Sequence, residues 1–337
     1  MRIRAILLAA PALCACLLGP VAAQAQLFRA YLSPSGSDAN PCTLPQPCRL
    51  LPAALAAIAD GGEIWLLGSA NYNTATVSVT KSVTILAVPG ALGSVIATGG
   101  PAVSIAAVGA KVALRNLVIV PLAGGGGTSG VVMSAGHTLV VEQSLLANLP
   151  VNGIEVTTGA IVRIVDTAIR DALSNAVSLS GGARATITRA VLSGSGANGI
   201  LLSGTAAGTT TTATVADTTL DGNNVGAFAH STNATAALRL SVRDSRVDGN
   251  AFGLYALTTQ GATTMLVASG NTVTNSAFHG IAADGAGARA WATANTVSYN
   301  TTGITNLNGA LFETTGSNAV RINTVDKSGL IGVVAPQ

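Results

Sequence analysis

The fold is decided by stretches like residues 238–256, which read LRLSVRDSRVDGNAFGLYA. Apolar and polar residues alternate from Leu238 to Val242, as they do in a strand with one face in a core. Asp248-Gly249-Asn250 then supplies turn residues, and Phe252-Gly253-Leu254 begins another short strand. One such unit is too small to enclose a core of its own.

The pair of a small residue and an aliphatic one, as in Gly253-Leu254, recurs along the chain. Successive small residues are separated by 23, 23, 23, 27, 27, 27 and 23 positions. A repeat of this length indicates one supersecondary unit that stacks on copies of itself and buries its apolar face against its neighbours. The eight pairs are Gly130-Val131, Gly153-Ile154, Ala176-Val177, Gly199-Ile200, Gly226-Ala227, Gly253-Leu254, Gly280-Ile281 and Gly303-Ile304.

These repeats predict an all-β fold, a right-handed parallel β-helix whose coils stack about 4.8 Å apart. Left-handed β-helices use six-residue units, and neither 23 nor 27 is a multiple of six. We expect one elongated domain over residues 26–337, with regular coils at 112–310. A helix at about 49–60 is predicted to cap the open strand edges at the N-terminal end. Its apolar residues are Leu51, Leu55 and Ile58.

Residues 1–25 have the pattern of a signal peptide. An apolar stretch from Ala5 to Leu18 follows a basic start, and Ala23-Gln24-Ala25 matches a secretory cleavage site. No later stretch reaches the ~20 apolar residues of a transmembrane helix. We therefore expect a secreted or periplasmic protein without a membrane span, and its association with the cell surface and its oligomeric state are left open.

The charge balance of the expected mature chain is close to neutral. The full chain has 17 basic and 14 acidic residues, and loss of Arg2 and Arg4 leaves 17 − 2 = 15 basic residues. The sequence shows no basic stripe, so it predicts neither nucleic acid nor an anionic membrane as a partner. Cys42 and Cys48 are then the only remaining thiols, and in an oxidising compartment we expect a disulfide that contributes roughly 2 kcal/mol.

Several motifs carry a family resemblance. They are YLSPSGSDANPC at residues 31–42, Gln46-Pro47-Cys48-Arg49, Asn71-Tyr72-Asn73 leading to residues 80–85, and repeats that end in N-x-x-G-I. With these motifs the chain resembles secreted bacterial proteins of the right-handed parallel β-helix, pectate-lyase-like superfamily. The resemblance spans nearly the whole mature chain and implies the fold. It implies no single activity, because the superfamily includes lyases, hydrolases, epimerases, phage spikes and proteins without known catalysis.

Three adjacent coils are four residues longer than the others. The excess is predicted to lie in Thr-rich turns at 204–212, 231–237 and 258–264, where it would stack into a ridge beside a binding groove. A tolerated surface insertion is the alternative.

Two columns of polar residues accompany these long coils, with neighbours expected about 5 Å apart. They contain Asp217, Asp244 and Asn271, and Asp221, Asp248 and Asn275. Clustered carboxylates could hold Ca²⁺, the one cofactor considered, or could pair a protonated acid with an ionised one. In the lyases that the chain resembles, an arginine can act as the base. The catalytic candidates are Asp217, Asp221, Asp244, Asp248, Arg243 and Arg246.

The alternative interpretation of these acids is structural. Asp221-Gly222-Asn223 and Asp248-Gly249-Asn250 are turn sequences, in which Asp and Asn side chains satisfy the backbone of stacked corners. The chain also lacks the Asp-rich and Arg-x-Pro-x-x-Arg segments of pectate lyases. No metal site is expected from the three histidines, His137, His230 and His279, which fall at different phases of the repeat.

Phe228 and Tyr255, which lie 27 positions apart, are candidates for substrate binding together with Asn275, because a flat ring can stack on a sugar. Packing of the two rings in the core is the alternative. The sequence thus supports an exported protein that binds polysaccharide or a cell-surface component without strong catalysis. The competing hypothesis is a polysaccharide lyase or another carbohydrate-active enzyme that acts on acidic polysaccharide.

Overall fold

A computed structural model describes residues 26–335 as a parallel β-solenoid of about ten coils. Each coil passes through sheet 1, sheet 2 and sheet 3 in turn, and every strand pairs in parallel with the equivalent strand one coil away. The all-β prediction is confirmed. The predicted signal peptide lies outside the described residues, and no helix within 26–335 is long and apolar enough to cross a membrane.

The strands are numbered in chain order. Sheet 1 contains β1 (Leu27–Leu32), β2 (Ile58–Leu66), β5 (Val83–Ala87), β8 (Lys111–Arg115), β11 (Thr138–Glu142), β14 (Ile161–Val165), β17 (Arg184–Thr188), β20 (Thr210–Ala216), β23 (Ala237–Arg243), β26 (Thr264–Ser269), β29 (Ala288–Thr293), β32 (Leu311–Thr314) and β35 (Ile331–Val333). Sheet 2 contains β3 (Ala70–Asn71), β6 (Gly93–Ala97), β9 (Leu117–Pro121), β12 (Leu145–Ala147), β15 (Ala168–Arg170), β18 (Val191–Ser193), β21 (Thr219–Asp221), β24 (Arg246–Asp248), β27 (Thr272–Thr274), β30 (Thr296–Ser298) and β33 (Ala319–Val320). Sheet 3 contains β4 (Val77–Val79), β7 (Val103–Ala106), β10 (Val131–Ala135), β13 (Ile154–Val156), β16 (Val177–Leu179), β19 (Asn198–Gly204), β22 (Val225–Ser231), β25 (Phe252–Thr258), β28 (His279–Asp284), β31 (Thr302–Leu307) and β34 (Val325–Ser328).

The helix α1 (Leu51–Ala57) lies at the N-terminal end and contacts β1, β2 and β4. It precedes β2 as β4 precedes β5, so it occupies the place of a sheet 3 strand in the first coil. It ends earlier than the predicted residue 60, because Ile58 adopts an extended backbone and its buried side chain begins β2. The predicted disulfide between Cys42 and Cys48 is present near this end.

The aliphatic residues of the repeat stack in register as one buried column through sheet 3. The glycines before them have ordinary backbone angles, so a special turn conformation does not explain them. A Cβ atom on Gly226 would instead lie 2.6 Å from the carbonyl oxygen of Gly253 in the next coil. Close stacking of one coil on the next therefore requires the small residue.

Buried asparagines satisfy the corners where the chain leaves sheet 1 and sheet 2. Asn271 donates from Nδ2 to Asn295 Oδ1 at 2.9 Å, and Asn295 donates to Asn318 Oδ1 at 2.8 Å. At the other corner, Asn223 Nδ2 donates to Asn250 Oδ1 at 3.2 Å. The structural role predicted for stacked polar residues is thus carried by these asparagines.

The extra residues of the 27-residue coils lie mainly in strands, not in long turns. The turns at 205–209, 232–236 and 259–263 have five residues, whereas the turn at 157–160 has four. The strands β19, β22 and β25 have seven residues each, compared with three in β13 and β16. The insertions therefore widen sheets 1 and 3 toward their shared corner, and the predicted ridge of long turns is wrong.

Candidate functional site

The widened strands of sheet 3 present rings on the outer face of the solenoid. Phe228 and Tyr255 occupy equivalent outward positions on β22 and β25, and Leu201 and Ala282 are their counterparts one coil away on either side. Both rings are partly exposed, so the alternative of packing in the core is wrong. We call this surface the aromatic face, formed by Phe228, His230, Phe252, Tyr255, Phe278, His279 and Asp284.

The rings of the aromatic face form a continuous stack along the solenoid axis. Phe228 stacks on Tyr255 with ring centroids 5.2 Å apart, Tyr255 stacks on Phe252 at 5.3 Å, and Phe252 stacks on Phe278 at 5.0 Å. His230 extends the stack at 5.0 Å from Phe228. Near-parallel planes at these distances stabilise adjacent coils, and each internal ring covers much of the face of its neighbour.

The stack leaves one ring face at its end uncovered. Phe278 stacks only on Phe252, and it is 52% exposed. Tyr299, 62% exposed, follows in the next coil at the same corner of the solenoid. The free face of Phe278 therefore has the shape and exposure that a sugar ring needs for stacking.

A cluster of polar side chains adjoins the rings. The Tyr255 hydroxyl donates to Asp284 Oδ2 at 2.8 Å, and Asn308 Nδ2 donates to Asp284 Oδ1 at 2.7 Å. His279 Nδ1 lies 3.2 Å from the Thr305 hydroxyl. Ala282, which is in register between Tyr255 and Thr305, is fully buried beneath these groups. A small residue at that position is what lets the longer side chains converge.

Burial shapes the protonation of this cluster. Desolvation raises the pKa of Tyr255, and its hydrogen bond to Asp284 adds to the effect. Desolvation lowers the pKa of His279, an effect that the charge of Asp284 opposes in part. It also lowers the pKa of His230, whose Nε2 is buried without a hydrogen-bond partner among residues 26–335. Both imidazoles are therefore neutral at pH 7, and the tyrosine keeps its proton.

The predicted acids Asp217 and Asp244 lie at the corner between sheets 1 and 2. Both adopt the left-handed conformation, with φ of 51° and 50°. Arg243 Nη1 binds Asp244 Oδ2 at 2.9 Å. Asn271 does not continue their column. In its coil Gly270 adopts the left-handed conformation, and Asn271 is the next residue, one of the buried asparagines that stack at this corner.

Asp221 and Asp248 lie at the other corner, between sheets 2 and 3, and are paired in register. Asp248 accepts hydrogen bonds at Oδ1 from the Thr274 hydroxyl at 2.6 Å and from Asn275 Nδ2 at 2.7 Å. The bond from Thr274, supported by Asn275 and by Arg246, lowers the pKa of Asp248. The next residue in register with Asp248 is Thr274 rather than Asn275, because that coil has 26 residues in sheet 2.

The structure thus divides the six catalytic candidates between two corners, and sheet 2 separates them. Asp221, Asp248 and Arg246 lie at the corner between sheets 2 and 3. Asp217, Asp244 and Arg243 lie at the corner between sheets 1 and 2. Within residues 26–335 there is no group of three or more His, Cys, Asp or Glu side chains with a geometry that could hold a metal ion. A four-carboxylate Ca²⁺ site is therefore not assembled by these residues.

Sequence reasoning missed Asp284, His279 and Phe278 as members of the site. For Asp284 the signal is the register of sheet 3, in which the two residues added to each strand place His230, Leu257 and Asp284 in one new outward column. Within the sequence, these three residues share no motif.

Comparisons with known proteins agree with the fold. The family model described as the right handed beta helix region matches residues 102–266. Among solved structures, pectate lyase Pel9A is similar with a TM-score of 0.56 at 12% identity, covering 88% of this chain and 79% of that one. A mutant of the periplasmic alginate epimerase AlgG has a TM-score of 0.52 at 12% identity, covering 81% and 77%. The Dettilon tailspike protein has a TM-score of 0.53 at 14% identity, covering 90% and 68%.

No curated protein matches the chain in sequence. At 12–14% identity the likeness to solved structures shows the fold alone. The chain therefore has the right-handed parallel β-helix fold that its sequence motifs predict.

Proposed function

We propose that the protein is exported and binds a neutral polysaccharide or cell-surface glycan on its aromatic face, without strong catalysis. The observation that carries this proposal is the free face of Phe278 at the end of a rigid stack of rings. Because the stack holds Phe278 in place, little side-chain entropy is lost when a sugar docks on it. Asn275 and Tyr299 lie at the same corner of the solenoid and offer hydrogen bonds to sugar hydroxyls.

The charges of this face favour a neutral ligand. The sheet 3 strands from β13 to β31 contain no Lys or Arg, and their two charged residues, Glu155 and Asp284, are both acidic. The nearby Arg246 is paired with Asp248. A uronate carboxylate on this surface would lose its hydration without gaining a cation, which is unfavourable.

The comparisons support a carbohydrate ligand in general terms. A pectate lyase, an alginate epimerase and a tailspike protein share the fold. The alginate epimerase is a periplasmic protein, which is consistent with export and with the N-terminal sequence. The neutral charge of the ligand is inferred from the outer residues of sheet 3 alone.

The test is binding of the purified protein to an array of neutral and acidic glycans, followed by titration of the best ligand. Removal of the ring by Phe278→Ala should weaken binding by about fivefold, because stacking on an aromatic ring contributes on the order of 1 kcal/mol. Phe28→Ala is the matched control, since Phe28 is 64% exposed on β1, far from the aromatic face. Absence of binding to any neutral glycan, or an equal loss in both variants, contradicts the proposal.

A second candidate function, a carbohydrate-active enzyme, is favoured by the contact between Tyr255 and Asp284 beside His279. A neutral imidazole can accept a proton, and a protonated tyrosine hydroxyl can donate one, so the cluster has the groups for general acid-base chemistry. In this case incubation with glycans should release products, and Tyr255→Phe should abolish their release.

The same assay tests the corner carboxylates. Loss of activity in an Asp221→Ala/Asp248→Ala double variant, with Tyr255→Phe active, would place the chemistry at the corner of sheets 2 and 3. Adding Ca²⁺ and acidic polysaccharide and recording unsaturated uronate absorbance tests the lyase hypothesis in particular. Binding without any product supports the first candidate.

A further inference from the structure

The outer face of sheet 1 carries a row of arginines that neither the proposed function nor the comparisons use. Arg184, Arg239 and Arg289 occupy one outward column on β17, β23 and β29, and Thr212 and Met265 are the residues between them. All three arginines are exposed. We call this surface the arginine face.

The guanidinium groups of this row are unpaired. Within residues 26–335 the ion pairs of sheet 1 join Arg29 to Glu63, Arg115 to Glu142 and Arg243 to Asp244, and none involves the row. The sheet 1 strands from β14 to β29 contain no Asp or Glu. The near-neutral total charge is therefore unevenly distributed between the faces, and the register of sheet 1 aligns three arginines that the sequence alone does not reveal as a group.

The spacing of the row suits a linear polymer. Since coils are stacked about 4.8 Å apart, arginines on every second coil are roughly 10 Å apart along the axis. Two sugar rings of an extended chain span a similar length. A polysaccharide with one carboxylate or sulfate per disaccharide, laid along the axis, would thus meet one guanidinium at each repeat.

The surface between the arginines is shaped for sugar. A hollow of about 280 Å³ lies around Arg239, and its lining includes Thr212, Thr214, Ser241 and Met265. Threonine and serine hydroxyls can bind sugar hydroxyls, and Met265 gives the hollow an apolar wall. Trp291, 37% exposed, lies beside Arg289 on the same outward side of β29 and offers a ring for stacking.

We propose that the arginine face is a second binding surface, which holds a linear anionic polysaccharide parallel to the solenoid axis through Arg184, Arg239 and Arg289. The proposal is independent of the neutral-glycan site, because sheets 1 and 3 present their outer faces in different directions. Bidentate pairing with carboxylate or sulfate gives arginine its advantage over lysine at such a surface. The hydroxyl-lined hollow and the few, widely spaced cations favour polysaccharide over nucleic acid, whose closely spaced phosphates need a denser set of contacts.

The test uses hyaluronan oligosaccharides, which carry one carboxylate per disaccharide, and the full purified protein at low salt. A triple variant, Arg184→Gln, Arg239→Gln and Arg289→Gln, should bind about tenfold more weakly, because it removes three exposed charged contacts that each contribute modestly. Arg170→Gln is the matched control, since Arg170 is exposed and unpaired on sheet 2. Unfolding midpoints equal to that of the wild type would show that the variants fold.

Each outcome bears on the proposal. Loss of binding in the triple variant with unchanged binding in the control, and in Phe278→Ala, supports it. Equal loss in the control would show a diffuse charge effect and overturn it, as would a triple variant that binds like the wild type or a wild type that binds no hyaluronan. Tighter binding of single-stranded DNA than of hyaluronan would assign the face to nucleic acid and overturn it as well.

Discussion

The aromatic face and the arginine face belong to the same coils and differ in how their side chains relate to each other. On the aromatic face, the rings pack into a single stack at 5.0–5.3 Å. Phe228 with Tyr255 and Phe252 with Phe278 join neighbouring coils, whereas Tyr255 and Phe252 stack within β25. On the arginine face, the charged residues occur on every second coil, and threonine or methionine separates them. Like charges on consecutive coils would repel, whereas rings attract, and each spacing follows from the chemistry of its residues.

This difference shows that an outward column in a β-helix is free to vary once the inward column is fixed. In the coils that carry these faces, the inward residues on both sheets are aliphatic, alanine or hydroxyl-bearing residues, and they are buried. The two faces therefore share one scaffold. A substitution that damages the scaffold should weaken binding on both faces, whereas a substitution of an outward residue should affect only the face to which it belongs.

The largest effect is expected from Gly226→Val, which damages the shared scaffold. The column contains glycine or, at Ala176, alanine, and a Cβ on Gly226 would already meet the Gly253 carbonyl oxygen at 2.6 Å, so the larger valine must separate adjacent coils, at a cost of about 3 kcal/mol. Denaturant unfolding should show this loss, and binding on both faces should weaken together near the transition. Gly159→Val, where the added Cβ would lie 3.7 Å from its nearest neighbouring atom, is the control and should change stability by less than about 0.5 kcal/mol. Equal effects would refute the close-stacking explanation.

A smaller effect is expected from Phe252→Ala, which removes a ring with three aromatic neighbours. Loss of these contacts should destabilise the protein by about 2 to 3 kcal/mol in thermal unfolding. On the arginine face, Met265→Ala removes an unstacked side chain and should cost about 1 kcal/mol. If Met265→Ala costs as much as Phe252→Ala, stacking does not distinguish the two faces.

Removal of one hydroxyl by Tyr255→Phe should cost about 1 kcal/mol, because Asp284 loses one of its two hydrogen-bond donors. Tyr299→Phe is the matched control, since the exposed Tyr299 hydroxyl makes no hydrogen bond within residues 26–335. Differential scanning calorimetry can resolve the two. A destabilised Tyr299→Phe, or an unchanged Tyr255→Phe, would contradict the hydrogen bond as a source of stability.

The smallest effect is a pH dependence confined to the aromatic face. Burial lowers the pKa of His230 and His279, so below about pH 6.5 the unfolded chain binds more protons than the folded one. Stability should therefore be complete above that pH and should decrease as the pH falls toward the lowered values. The unfolding midpoint, measured from pH 7.5 to 5.5, should decrease less in His230→Phe than in the wild type.

The arginine face provides the internal control for this prediction, because arginine does not titrate in this range. Binding of hyaluronan should be insensitive to pH between 5.5 and 7.5 but should weaken with salt. His137→Gln, at an exposed histidine, should keep the full pH dependence of the wild type. A His230→Phe variant with the wild-type slope would exclude His230 as its source.

Much of the fold is predictable from the sequence because the repeat marks the inward column. The pairs from Gly130-Val131 to Gly303-Ile304 stack in sheet 3 as predicted. The end of α1 is less predictable, since Ile58 fits the apolar side of a helix and the start of a strand equally well. The sequence also does not show whether the extra residues of the 27-residue coils lie in turns or in strands, because Thr-rich segments are compatible with both.

The candidate site is less predictable because it depends on register in three sheets, and the repeat length differs between them. A constant period of 27 placed Asn275 beside Asp248 in one column, whereas sheet 2 advances by 26 residues and pairs Thr274 there. Outward residues such as Arg184 and Arg289 are not constrained by packing, so no periodic signal reveals them in the sequence. Their alignment is seen only when the strand register of sheet 1 is known for each coil.

The helix α1 has a consequence for the order in which the chain can fold. Paired strands of neighbouring coils join residues that are close in sequence, from 19 positions apart for Phe312 and Ile331 to 34 for Arg29 and Glu63, so each coil can form as soon as the one before it presents an edge. Since α1 occupies the place of a strand in the first coil and closes that end, later coils have a single free edge on which to grow. Synthesis delivers β1 and α1 before the later coils, and the solenoid can therefore elongate from this end in the direction of translation.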